Sequence, residues 1–329
     1  MARVVRFHET GGPEVLKIEQ VDLPPPGPGE VRLNVKALGL NRAESMFRNG
    51  QYLETPKFPA QLGYEASGII EAIGEGVEGY QPGDVVSVVP AFSLNQYGLY
   101  GDAAIVPTYA LARHPKFLSW EEAAAVWMMY GTAYGALIEI ADLQPNDTLL
   151  IPAASSSVGL AAIQIARTVG AVPVALTRGS AKRAALEAAG APHVIVTNEQ
   201  DLVAETRKIT GGKGARVVFD PVGGPTVTKL CQAMSQRGIL FQYGALSPEP
   251  TPLPLFDVLG KSLTIRGYIL GEITSNPASL ERAKTFIVEG LSTGKLKPII
   301  AKTFPLDQIV EAHRYLESNE QFGKIVVTV

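Results

Sequence analysis

Cysteine is almost missing from this chain of 329 residues: Cys231 stands alone. A single thiol cannot close an intrachain disulfide, nor can it build the four-cysteine lobe of a structural zinc site. Histidine is scarce as well. His8, His114, His193 and His313 are scattered without ligand spacing, and each is expected at the surface or at a strand end. No apolar run approaches the roughly 20 residues that a membrane helix requires. Lys and Arg (29) do not outnumber Asp and Glu (32), so there is no basic footprint for nucleic acid or an anionic membrane. The opening "MARVVRFHET" has no apolar leader core and is expected to enter structure directly. A cytoplasmic location is the default expectation. What the composition supplies is 46% hydrophobic against 19% charged residues, the balance of a globular chain with one large or two ordinary cores.

The first 120 or so residues read as β-rich. "EVRLNVKALGLN" alternates apolar and polar side chains, the period of a half-buried strand. "ASGIIEAIGEGV" and "DVVSVVP" are short β-prone runs punctuated by Gly and by the turn Pro82-Gly83-Asp84. "LPPPGPGE", from Leu23 to Glu30, is expected to be an extended surface connector rather than a proline-rich ligand. At Ser119 the texture changes. "SWEEAAAVWMMYGTAYGALIEIA" predicts a helix, with Ser119 and Glu122 as a capping box. Strand and helix then alternate from "DTLLIPAA" to "ILFQYGA", and Gly170, Gly190 and Gly238 fit helix C-caps. Such repeated units imply a parallel sheet covered on both faces. The predicted fold is α/β: a Rossmann-type, doubly wound domain over residues 125–266, inserted into a β-rich domain made of 1–124 and 267–329.

The first parallel strand ends in "IPAASSSVGL". A dinucleotide fold uses small residues there so that backbone amides approach the pyrophosphate at the following helix N-terminus. The Gly-X-Gly-X-X-Gly fingerprint is reduced to Ala154-Ser155-Ser156-Ser157-Val158-Gly159, with only its last glycine. A serine-capped helix without a ligand would satisfy the same letters. About 20 residues on, where an NAD site wants a carboxylate, stand Thr177 and Arg178, followed by Ser180, Lys182 and Arg183. Cations and a hydroxyl suit a 2′-phosphate, so NADPH is preferred to NADH.

Together, "GGPEVL", "PGPGEVRLNVKALGLNRAE", "GYEASGIIEAIGEGV", "AASSSVGLAAIQIA" and "GKIVVTV" make the whole chain resemble the medium-chain dehydrogenase/reductase superfamily, in its zinc-independent quinone oxidoreductase-like branch. The resemblance implies a GroES-like catalytic domain around the Rossmann-type one, and pairing into a homodimer through the cofactor domain, where "LTIRGYIL" would extend the sheet. Zinc-using members carry cysteine and histidine where this chain has Asn41 and Tyr64, both poor zinc donors, so no metal is expected. The resemblance implies hydride transfer from NADPH to a small-molecule electron acceptor, a quinone or an α,β-unsaturated carbonyl. Alcohol dehydrogenase or enoyl-thioester reductase chemistry on the same scaffold is an alternative, as is a catalytically weak NADPH-binding role.

Position by position, the resemblance assigns Asn41 to the nicotinamide ribose and Thr132 to the start of the cofactor domain. Ser155, Ser156, Ser157 and Val158 fall in the pyrophosphate turn; Thr177, Arg178, Ser180 and Lys182 fall at the 2′-phosphate. Tyr243, Gly244 and Ala245 form the turn after the fifth strand, and Lys324 lies near the cofactor. Tyr52 and Tyr64 are the catalytic candidates, each able to donate a hydrogen bond to a substrate oxygen. Equally, each could fill the vacated metal cavity as packing.

Overall fold

Every second residue of Glu30–Gly39 is apolar at its start, and in the folded chain Val31, Leu33, Val35 and Ala37 are buried while Asn34 faces solvent. One covered face requires that alternation. The structure, a computed structural model, describes residues 1–329. They form two compact units: Met1–Met129 with Lys284–Ser292 and Pro298–Val329, and Tyr130–Ala283 with Thr293–Lys297.

The strands in chain order begin with β1 (Ala2–Phe7), β2 (Lys17–Val21), β3 (Glu30–Gly39), β4 (Ala60–Gln61), β5 (Glu65–Ile73), β6 (Val85–Val88), β7 (Ala103–Pro107) and β8 (Leu111–Ala112) in the first unit. The second unit holds β9 (Thr148–Ile151), β10 (Val172–Thr177), β11 (His193–Val196), β12 (Ala215–Asp220), β13 (Met234–Gln242) and β14 (Thr264–Gly267). β15 (Ile300–Pro305) and β16 (Lys324–Thr328) return to the first. The helices are α1 (Arg42–Arg48), α2 (Trp120–Ala123), α3 (Trp127–Tyr134), α4 (Ser157–Thr168), α5 (Arg183–Ala188), α6 (Leu202–Ile209), α7 (Thr226–Ala233), α8 (Leu255–Lys261), α9 (Gly271–Thr274), α10 (Pro277–Ser292) and α11 (Ile309–Ser318).

In the first unit, β15-β16-β3-β5-β6-β8 form a largely antiparallel sheet, with β7 also on β3, beside a small sheet β2-β1-β4. Their shared core includes Phe7, Leu33, Leu38, Phe47, Leu62, Leu99 and Val327. "LPPPGPGE" is an irregular stretch between β2 and β3, as expected of a connector. In the second unit the sheet order is β11-β10-β9-β12-β13-β14, all parallel. Counted from β9 this is 3-2-1-4-5-6, the Rossmann order, which reverses between β9 and β12.

Four expectations need correction. Residues 125–129 pack with the first unit and 267–283 with the second, so the units divide later than 124/125 and 266/267. Tyr268, Leu270 and Ile273 lie against Gly131 and Gly135 of the second unit, which keeps that segment there. The helix predicted from Ser119 is broken. Its capping box forms, but α2 ends after one turn, α3 begins at Trp127, and Gly135–Ile140 widens to a π-helix. The restart has a cause: the Trp127 and Met128 amides donate to Glu65 Oε2 (both 3.0 Å) instead of to the preceding turn. Gly170 and Gly190 have positive φ, but Gly238 is no helix cap, because α7 ends at Ala233 and β13 runs through it. His313, finally, is fully buried in α11, not at the surface.

Candidate active site

In the first unit, β3 ends at Gly39 and α1 starts after Asn41, which caps it together with Glu44. The Asn41 amide donates to Glu44 Oε2 (2.8 Å), while Asn41 Nδ2 donates to the Gly39 carbonyl (3.0 Å) and to Glu65 Oε1 (3.2 Å). Lys324, on β16, comes from the far end of the sequence because β16 pairs antiparallel with β3. Its Nζ donates to Asn41 Oδ1 at 2.6 Å and makes a short ion pair with Glu65 Oε1, with both charged side chains fully buried. Glu65 thus carries Lys324 and Asn41 on one oxygen and two helix amides on the other. The close fit reaches the backbone: a Cβ on Gly39 would lie 2.2 Å from the Ala124 carbonyl and 2.9 Å from the Glu65 side chain.

The phenols of Tyr52 and Tyr64 lie close enough to shift one another's titration, so the structure brings the two catalytic candidates together. Burial pushes both phenols up, Tyr64 strongly, and holds them in the protonated, donating form. The Tyr64 amide donates to Glu44 Oε1 (2.9 Å), and its ring lies 6.2 Å from that of Phe92. The segments on either side are tied by Glu54, which accepts from Asn95 Nδ2 (3.2 Å) and, in a short bond, from Ser93 Oγ.

A metal does not fit this donor set. Tyr64 is a neutral phenol, Asn41 offers only an amide already used by Lys324, and both Glu65 oxygens are taken. No group of three or more His, Cys, Asp or Glu side chains is placed to hold an ion.

The second unit gathers its candidates at the C-terminal ends of the parallel strands. After β9 the chain turns through Ala153, whose left-handed φ of 49° makes the tight turn without the first glycine of the fingerprint. Ser156 caps α4, its Oγ accepting the Gly159 amide at 3.1 Å. That leaves the Ser157 and Val158 amides, which a helix start cannot satisfy internally, for an anion. A Cβ on Gly159 would come within 2.7 Å of Ala154, so only glycine lets helix and turn approach this closely. Lys182 Nζ reaches across from the end of β10 to donate to Ser155 Oγ (3.2 Å), which joins the two proposed phosphate subsites. Thr177 Oγ1 donates to the Gly179 carbonyl, and Arg178 and Ser180 are exposed beside it. Tyr243 stacks on Phe219 (3.9 Å between ring centres), and Gly244 packs against Pro221, where a Cβ would meet the Pro221 carbonyl at 2.6 Å. Ala245 is exposed just beyond, and Thr132 is buried within α3. These features fit a dinucleotide: a small-residue turn, an open helix N-terminus and cations beside it.

Sequence reasoning missed Glu44, Tyr100, His313 and Asp220. Burial raises the Asp220 carboxyl, at the end of β12, to about 6, against the Val222 and Gly223 amides that it accepts. "FDPVGG" offered a signal, an acid at a strand end followed by paired glycines. Glu44 could have been read as the third residue of a capping box after Asn41. Nothing local marked Tyr100 or His313.

Residues 27–147 match the alcohol dehydrogenase GroES-like domain, and residues 157–286 match the zinc-binding dehydrogenase family. Over 316 residues the chain is 34% identical to the synaptic vesicle membrane protein VAT-1 homolog of Danio rerio, covering 91% of this chain but only 64% of that protein. It is 31% identical to the 2-haloacrylate reductase of a Burkholderia species, covering 99% of this chain and 98% of the relative. Among solved structures, an NAD-dependent alcohol dehydrogenase superposes with a TM-score of 0.91 at 33% identity. Escherichia coli quinone oxidoreductase complexed with NADPH does so with a TM-score of 0.92 at 30% identity, and both likenesses cover 100% of both chains. With a GroES-like unit, a Rossmann-type sheet in the 3-2-1-4-5-6 order and full-length relatives above 30% identity, the chain belongs to the medium-chain dehydrogenase/reductase superfamily.

Proposed function

We propose that the protein is an NADPH-dependent, zinc-independent reductase that transfers hydride to quinones or α,β-unsaturated carbonyls. The observation that carries this reading is the Lys324 ammonium, seated on Glu65 and on Asn41, which stands where zinc-using relatives carry a cysteine. An internal cation there neutralises Glu65 and fixes Asn41, but it offers no open coordination site to polarise a carbonyl. An acceptor that is already electron-poor needs only hydrogen-bond donors for the oxyanion that develops. The Tyr52–Tyr64 hydroxyl pair provides such donors, held protonated by burial.

NADPH supplies the hydride when bound. The chain's own residues bind and orient: the Ser157 and Val158 amides take the pyrophosphate, while Lys182 and Arg178 take the 2′-phosphate. Asn41, immobilised by four hydrogen-bond partners, is the residue proposed to meet the nicotinamide ribose. The E. coli quinone oxidoreductase with NADPH and the 2-haloacrylate reductase support both the cofactor and the acceptor class. The likeness to an NAD-dependent alcohol dehydrogenase favours a second reading, an alcohol and carbonyl pair with NAD.

One assay separates them. NADPH and NADH oxidation are followed with a simple quinone, a conjugated enone, an unactivated aldehyde, or no acceptor. Turnover with quinone or enone and NADPH supports the proposal; turnover confined to the aldehyde and NADH overturns it. The working form is proposed to be a homodimer. β14 is the edge of its sheet, and Leu253, Leu255, Phe256, Leu259, Ile265 and Ile269 are exposed around it, a density of apolar surface that a second copy of the chain would cover.

A further inference from the structure

Glu44 is fully buried on α1. What it carries is main chain. It accepts the amides of Asn41 (2.8 Å) and Tyr64 (2.9 Å), the two residues on which the proposed chemistry depends. Its Oε2 also accepts the Tyr100 hydroxyl at 2.7 Å, and Asn41 Nδ2 approaches Oε1 at 3.5 Å. From Tyr100 a buried line continues. The Tyr100 oxygen lies 3.2 Å from His313 Nε2, and His313 Nδ1 lies 2.7 Å from Arg48 Nη1. Arg48 is itself buried, donating to the Gly11 carbonyl (3.0 Å) and paired in a short contact with Glu317.

The direction of every proton along this line follows from its far end. A guanidinium only donates, so His313 Nδ1 accepts and its one proton sits on Nε2. Nε2–H donates to the Tyr100 oxygen, and the Tyr100 proton is left pointing at Glu44. Every group facing Glu44 is then a donor. A protonated Glu44 would have to aim its own proton at an acceptor, and the one group able to become an acceptor is Tyr100. Tyr100 can turn its hydroxyl away only if His313 Nε2 gives up its proton, and the other His313 tautomer would face Nδ1–H against the Arg48 donor.

We propose that Arg48 and His313 are positioning residues that lock Glu44 in its acceptor form, and through it hold the backbone of Asn41 and Tyr64. The functional part rests on the reading of Tyr64 as a donor to the acceptor oxygen. The lock has something to oppose. Burial drives the Glu44 carboxyl up to about 7, against hydrogen bonds from Tyr100, Asn41 and Tyr64 and the charge of Lys324 on β16. The other groups bearing on the site are Tyr52 and Tyr64, whose phenols Glu44 itself raises, and Glu65 on β5, which acts on Tyr100. Burial, Arg48 and Arg42 push His313 down to about 3, which keeps it neutral and single-protonated as the lock requires.

The test reads the Glu44 proton directly. Infrared titration follows the protonated-carboxyl band that Glu44→Gln removes, in the full-length protein without acceptor. Arg48→Met and Tyr100→Phe are expected to move its midpoint up by about one pH unit, the worth of one hydrogen bond to a charged group. Arg48→Lys, still a pure donor, should leave it where it is. The acid limb of kcat/KM for an enone should shift by the same amount. If Arg48→Met does not fold, Tyr100→Phe decides alone, since it keeps the ring and deletes one hydroxyl. A wild-type midpoint in Tyr100→Phe would overturn the lock. A shifted midpoint in a protein that oxidises NADPH with no acceptor would uphold the lock and overturn only the acceptor reading.

Discussion

Tyr52 and Tyr64 hold the residue-scale claim, because a hydroxyl pair can serve an oxyanion or merely satisfy itself. If Tyr64 stabilises charge on the acceptor oxygen, Tyr64→Phe is expected to lower kcat and kcat/KM together while NADPH affinity stays constant. Loss of one such donor commonly costs roughly 10²–10³ in rate. Enone reduction should approach that loss and quinone reduction should fall well short of it, since a quinone accepts hydride more readily. Small, equal effects with both acceptors would assign the pair to packing. At the cofactor, Lys182 is already directed at Ser155 beside the turn. Lys182→Ala should weaken NADPH by about 1.5–3 kcal/mol and leave NADH nearly unchanged, measured by fluorescence titration. Equal losses for both cofactors would contradict the 2′-phosphate assignment. These residues were legible because their chemistry is local: a turn, a basic stretch, a tyrosine where histidine is usual. Glu44, Tyr100 and His313 were not, because their meaning lies in contacts that join α1, the β6–β7 connection and α11, with no sequence spacing to reveal them.

Glu65 works at the scale of elements. One oxygen starts α3 through two amides, while the other pins β16 to the start of α1 through Lys324 and Asn41. Removing either charge breaks the buried pair, but not equally. Without Lys324, Glu65 keeps three N–H donors; without Glu65, Lys324 keeps Asn41. Glu65→Leu is therefore expected to cost about 3–5 kcal/mol in urea unfolding, and Lys324→Met distinctly less. The reverse order would refute the description of Glu65 as the shared anchor. The broken helix at Ala124–Val126 belongs here too: its capping box and apolar period were plain in the sequence, whereas the restart depends on a carboxylate 62 residues earlier.

α11 adds a pH dependence through His313, held near 3 against an ordinary 6.5. The folded state binds fewer protons than the unfolded one between those values, so this stabilisation is complete above pH 6.5 and is lost as pH falls toward 3. Glu44 has the opposite sign: raised from 4.5 to about 7, it makes the fold lose stability as pH rises through that window. His313→Gln cannot ionise, and Gln can still accept from Arg48 and donate to Tyr100. The stability gap between wild type and variant should be widest above pH 6.5 and close on acidification. A gap constant from pH 5 to 8 would contradict a buried neutral His313.

For the whole molecule, the sequence rhythm from β9 to β13 was enough to read the Rossmann-type sheet, because each crossover helix must cover a parallel strand. The unit boundaries were less legible, since residues 125–129 and 267–283 choose their unit by tertiary packing and not by composition. Of the fifteen large hydrophobic residues that remain exposed, seven lie between Leu246 and Ile269, with Phe256 at 92% and Leu259 at 73%. That concentration motivates the dimer. The double variant Phe256→Glu, Leu259→Glu is expected to sediment as a monomer where wild type sediments as a dimer. A wild-type monomer at all concentrations would refute the pairing.

Hydride transfer without zinc is the central claim, and metal content measured alongside turnover tests it most directly. The purified protein is analysed for zinc, stripped with chelator, and assayed with NADPH and an enone or quinone. The expected result is well under about 0.1 zinc per chain and undiminished turnover after chelation, because Lys324 already occupies the donors a metal would need. About one tightly held zinc per chain, with activity lost on its removal and restored on its return, would contradict it.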